Sequence, residues 1–276
     1  RSISKIFDEE NYINVNTPLI VGNVVQGRVK TFDIDYFGNK ASLAMTKLVY
    51  LRYLTCSDFN KIYDLSPVFV AGKHKTLNHV SEYYTFDWAS TDEIDFDQYL
   101  LHVNSLLLRL LTDLDEMVRI KDLKINFKFQ ELLNDIESSK IVPYSELIKL
   151  YIKNNPGEKD VTQQFHLSEK VITMAHSHFG KHIWVTEFPE KFKQFYCDTT
   201  VKNGDNIILS SELWWDKAKV ASVSFSASDF QKTLKKQGLP FYNGRFNLIK
   251  LFYELTDDRW YSHRGIVEIA EDIIKE

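Results

Sequence analysis

Side chains able to handle a charged ligand cluster in a few short stretches of this 276-residue chain. In ILSSELWWDKAKVASVSFS, Glu212 is followed seven positions later by Lys219, a carboxylate and an ammonium whose simplest joint role is a salt bridge. Lys73, His74 and Lys75 run together in a loop, either a solvated basic loop or an anion site. Asp35, Thr76, His79, Glu82 and Asp87 sit in or beside runs of aromatic and β-branched residues. The segment AHSHFGKH sets His178 and His182 four apart with His176 nearby, a helical spacing that suits a transition metal. With no third ligand, and Gly180 breaking the helix between them, the reading is a set of ordinary histidines and no metal. Trp214 and Trp215 read as packing residues, and Asp92, Glu93, Asp95 and Asp97 as a solvated helix start.

These residues need a folded frame, and the composition supplies one: 44% hydrophobic and 14% aromatic residues with charges well mixed describe a globular chain, not a disordered one. A net charge of −4 argues against the broad basic face that nucleic acid requires, so tRNA is not an expected partner. Cys56 and Cys197 stand far apart with no CxxC, which suggests neither a disulfide framework nor a zinc cluster. No apolar run approaches the roughly 18 residues that cross a bilayer. A cytoplasmic protein with no membrane partner is the expectation.

Periodicity predicts the elements. Ile3, Ile6 and Phe7 share one helical face, and the stretch from Tyr12 to Thr17 reads as a strand ended by Pro18. Strands are predicted over Thr31 to Phe37 and Lys61 to Val70, with a helix from Leu43 to Leu54 between them. His79 to Ala89 reads as the strand returning from the second of these. The longest helix is predicted over Asp97 to Arg119, and another follows Pro143. Beyond it come a helix from His166 to Phe179, a strand from His182 to Thr186, and a strand pair at Asn206 to Leu213 and Val220 to Phe225. Helices over Ser228 to Gln237 and Gly265 to Glu276 complete an α+β chain with a mainly antiparallel sheet.

The stretches DIDYFGNKASLAMTKLVYLRYL and KIYDLSPVFVAGKHKTLNHVSEYYTFDW resemble the catalytic core of class II aminoacyl-tRNA synthetases of the aspartyl/asparaginyl group, or the related short archaeal-type asparagine synthetases. IWVTEFPEKFKQFYCD, the Glu212 segment and KKQGLP keep the order of the family's landmarks over nearly the whole chain. The resemblance implies a class II synthetase-type antiparallel sheet flanked by helices, a single catalytic-type domain over 1–276 without the anticodon-binding barrel, and a homodimer through the first helix and strand.

The departures carry the functional expectation. Where the family has a phosphate-gripping Arg and an acidic companion, this chain has Val70 and Gly72; where it has a substrate-holding Gln, Leu48 stands. Of the two magnesium carboxylates the first is kept as Glu212 and the second is Lys219, an ammonium that ligates no metal. Phe225 and Ser226 replace a Gln-Arg pair, and Asp272 stands where an ATP-stacking Arg is expected, leaving Arg264 as the nearest substitute. Losing one electrostatic clamp costs on the order of 3 kcal/mol of transition-state stabilisation. The resemblance therefore implies a diverged paralog with amino-acid adenylation lost, needing no cofactor and keeping a small-molecule pocket among Asp35, Val70, Lys73, His74, Lys75, His79, Glu82, Asp87, Glu212, Lys219 and Arg264. The alternative is an active ligase using ATP and magnesium to activate aspartate or a similar acid.

Overall fold

The computed structural model describes residues 2–22, 30–55, 59–72, 80–91, 94–121, 128–157, 167–192, 197–216, 218–225 and 242–247. In chain order these form α1 (Ser2–Glu9), β1 (Ile13–Asn14), β2 (Ile20–Val21), β3 (Asp33–Tyr36), β4 (Asn39–Leu43), α2 (Leu48–Thr55), β5 (Lys61–Phe69) and β6 (Glu82–Ser90). There follow α3 (Phe96–Ile120), α4 (Phe129–Glu137), β7 (Lys140–Pro143), α5 (Tyr144–Asn154), α6 (Glu169–Phe179), β8 (His182–Thr186) and β9 (Phe188–Pro189). The last are β10 (Thr199–Lys202), β11 (Asp205–Ile208), β12 (Ser210–Trp215), β13 (Ala218–Phe225) and β14 (Tyr242–Asn247).

An eight-stranded sheet in the order β1-β5-β6-β14-β13-β12-β8-β7 organises the molecule. Every internal pairing from β5 to β8 is antiparallel, and only the edge pairs β1/β5 and β7/β8 are parallel. Strand alternation makes the two faces chemically different. Tyr63, Phe86, Trp88, Phe246, Val223, Leu213, Trp215 and Trp184 join one core with Ile3, Ile6 and Phe7 of α1, Leu100, Leu107 and Leu111 of α3, and Leu132 and Ile136 of α4. Phe7 lies 4.4 Å from Phe86, and Trp88 lies 4.8 Å from Phe246, centroid to centroid. The Trp88 indole also donates to the Tyr99 hydroxyl at 2.8 Å, which satisfies its buried N–H.

Gly244 sits at the centre of β14 because a Cβ there would overlap the Trp88 indole ring. At one end of the opposite face, α2 packs Leu51 on Ile62 and Ala89. Toward the other edge, α5 and α6 build a second core with Ile183 and Val185 of β8. The strip between them is polar.

The long helix starts one residue before the predicted span and is capped by Asp95, whose carboxylate accepts from the Asp97 and Gln98 amides. The predicted helix from Leu43 begins only at Leu48. Residues 39–43 instead form β4, because Phe37 and Gly38 both take positive φ (52° and 79°) and close a tight hairpin with β3. The predicted strand from Asn206 to Leu213 is interrupted after Ile208: β11 pairs with β9 and β10, and β12 joins the large sheet. The helix expected after Pro143 is α5, and α4 and β7 precede it in a stretch for which no element was predicted. The predicted helices over Ser228 to Gln237 and Gly265 to Glu276 lie outside the described residues. Among those that are described, no helix is long and apolar enough to cross a membrane.

Candidate functional site

A single transverse row crosses five strands on the polar face. The register pairs Asp64 with Asp87, Asp87 with Arg245, Arg245 with Ser222, and Ser222 with Glu212. Each falls on the polar face because its strand neighbours, such as Tyr63 and Leu65 or Phe86 and Trp88, point into the helix-covered core.

The row is densely bonded. Asp64 is fully buried and accepts from the Thr17 amide at 2.8 Å, the Thr17 hydroxyl at 2.5 Å and the Ser66 hydroxyl at 2.6 Å. Asp87, also fully buried, accepts from Arg245 Nε at 2.5 Å and the Thr85 hydroxyl at 2.6 Å. The Arg245 guanidinium reaches on to Thr46 Oγ1 at 3.0 Å, which ties the central strand to the segment entering α2. Glu212 is buried beneath Lys219, whose ammonium donates to Oε1 at 2.8 Å, while the Trp214 indole donates to Oε2 at 3.2 Å. Six carboxylate oxygens therefore each accept at least one bond from the protein itself.

Lys47, next to Thr46, is fully buried, and its Nζ has no hydrogen-bond partner. Burial pushes its pKa down; Asp64 and Asp87 oppose that shift and Arg245 adds to it. Arg52 of α2 is buried nearby and donates to Ser224 at 3.5 Å.

Of the sequence-predicted residues, Asp87, Glu212 and Lys219 are brought into this row. The anticipated salt bridge between Glu212 and Lys219 is present. Val70 follows the end of β5, half-buried, with its amide donating to the Ser81 carbonyl at 2.8 Å. Glu82 is exposed at the start of β6. Asp35 lies apart, exposed on the β3/β4 hairpin, where it accepts from the Gly38 amide at 2.8 Å. Lys73, His74, Lys75, Thr76, His79 and Arg264 lie outside the described residues. His178 is exposed, whereas His182 belongs to β8 and is buried, so the pair does not share a helical face. No cluster of three potential metal ligands occurs among the described residues.

Sequence reasoning missed Asp64, Lys47, Arg52, Arg245 and Ser222. The alternation of β5 carried the signal for Asp64, between Tyr63 and Leu65. For Arg245, the segment YNGRFN holds too few apolar residues to advertise a central strand. The residues present do not fit a magnesium ion at Glu212. A divalent cation prefers several oxygen ligands, and here an ammonium and an indole N–H occupy the two carboxylate oxygens.

Comparison with known proteins agrees with this frame. The family model for class II tRNA synthetases (D, K and N) matches residues 1–235. The aspartate–tRNA(Asp/Asn) ligase of Methanococcus vannielii is 25% identical over 224 residues, covering 80% of this chain and 49% of that protein. The asparagine–tRNA ligase of Streptococcus sanguinis is 24% identical over 217 residues, 76% of this chain and 47% of the relative. The chain thus spans about half the length of the curated relatives it matches. Among solved structures, asparaginyl-tRNA synthetase of Entamoeba histolytica in complex with asparaginyl-adenylate superposes with a TM-score of 0.74 at 18% identity, covering 94% of this chain and 62% of that one. The Pyrococcus horikoshii asparaginyl-tRNA synthetase complexed with asparaginyl-adenylate gives 0.72 at 16%, with 94% and 66% covered. By the extent of the family match and the shared core architecture, the chain belongs to the class II tRNA synthetases of the aspartyl, lysyl and asparaginyl type.

Proposed function

We propose that this domain is a diverged relative of the aspartyl and asparaginyl synthetases that has given up ATP-dependent amino-acid adenylation and uses the polar face of its sheet as a ligand-binding pocket with a regulatory or subunit role. The observation that carries the reading is the Lys219 ammonium seated 2.8 Å from the buried Glu212 carboxylate. Adenylation joins two anions and depends on cationic clamps and metal ions that neutralise them. A magnesium ion at Glu212 would have to displace the half-buried lysine that already pairs with this carboxylate. Val70 adds to this: an aliphatic side chain at the end of β5 supplies no donor for a phosphate.

Titration calorimetry with ATP and magnesium, together with pyrophosphate exchange screened across the amino acids, tests the proposal. Neither magnesium-dependent ATP binding nor exchange is expected. Micromolar, magnesium-dependent ATP binding would defeat it in favour of a working ligase that activates aspartate or a similar acid.

We further propose that the protein is a cytoplasmic homodimer. Ile13, Leu19 and Ile20 are 50%, 39% and 48% exposed along one short stretch, apolar surface that a second copy would cover. Light scattering coupled to size exclusion should give twice the chain mass, and a monomer at micromolar concentration would refute this. The net charge of −4 favours a small-molecule ligand over tRNA, so a salt-dependent gel shift with tRNA should be negative.

A further inference from the structure

We draw no further inference here: the strongest candidate, the open groove between α1 and the last turns of α3, where Met117 and the exposed Ile120 lie beside Asp8, Asp113 and Glu116, is a surface cleft with an acidic rim, and nothing in the structure shows what covers it.

Discussion

Acid should loosen this protein earlier than its carboxylates alone would dictate, because two histidines are buried at one corner of the fold. His182, at the start of β8, is 2% exposed; its Nδ1 is 2.8 Å from the Ser139 hydroxyl, and its Nε2 has no partner. His176 of α6 lies half-buried with both ring nitrogens unpartnered. Desolvation pushes His182 down to about 3, helped by the positive field of His176, and pushes His176 down to about 4 against the pull of Asp216. Nearby, Trp215 stacks edgewise on His182 and donates to Asp135, and Lys181 pairs with Glu131.

The sign follows from linkage. Above the ordinary value of 6.5 both rings are neutral whether the chain is folded or unfolded, so stability is fully present. As pH falls below 6.5, the unfolded chain takes up protons that the folded one refuses, and stability declines toward the folded values. Each fully refused proton costs about 1.4 kcal/mol per pH unit, so at about pH 4.5 His182 accounts for roughly 3 kcal/mol. His176, less sheltered from solvent, contributes about half as much, giving a combined loss of about 4 kcal/mol against a typical total of about 5–15. Urea unfolding across this range, compared with the His176→Gln/His182→Gln double variant, isolates the effect, since most carboxylates titrate below about pH 4.5. The variant should show a flatter pH profile by about that amount. Identical slopes for the two proteins between pH 6.5 and about 5 would refute the reasoning.

Gly244→Ala should be among the most damaging single substitutions in the sheet. The new methyl group overlaps the Trp88 indole, and relief would break its 2.8 Å bond to Tyr99, so a loss of about 3 kcal/mol or more is expected in urea unfolding. Asp95→Ala should cost about 1 kcal/mol by removing the cap of α3, visible as a small drop in melting temperature without change in ligand binding. Lys219→Glu should place two carboxylates together across the β12/β13 hairpin and raise divalent-cation affinity above that of the natural protein; manganese relaxation titration of the two would detect it, and no difference between them would count against the proposed role of Lys219.

Much of the fold was legible because its elements are strongly patterned. The β5/β6 hairpin, the α3 helix and β8 follow from alternation or helical periodicity in residues such as Tyr63, Phe86, Leu107 and Trp184. The β4 strand was not, since Leu43 runs on through Ala44 and Met45 toward the apolar start of α2 and only the turn at Phe37 and Gly38 marks where the strand begins. The site was half legible. Glu212 and Lys219 are close in sequence, so their pairing could be anticipated from the hairpin that joins them. Asp87 meets Arg245 only through a sheet register that unites distant segments, and Lys47 gains its meaning from burial, which local sequence does not reveal.

The place of β14 in the sheet also shapes how the chain can be made. Synthesis from the N-terminus completes β6 long before, and β13 shortly before, the strand that fills the gap between them. Until then each presents a raw edge with backbone donors and acceptors facing outward, the kind of surface that recruits other nascent chains into aggregates. A translation product halted before residue 242 would leave that edge open and would lack Arg245, so it should be both insoluble and blind to ligand. Closure of the sheet and arrival of the guanidinium are one event, which ties competence to completion at the ribosome.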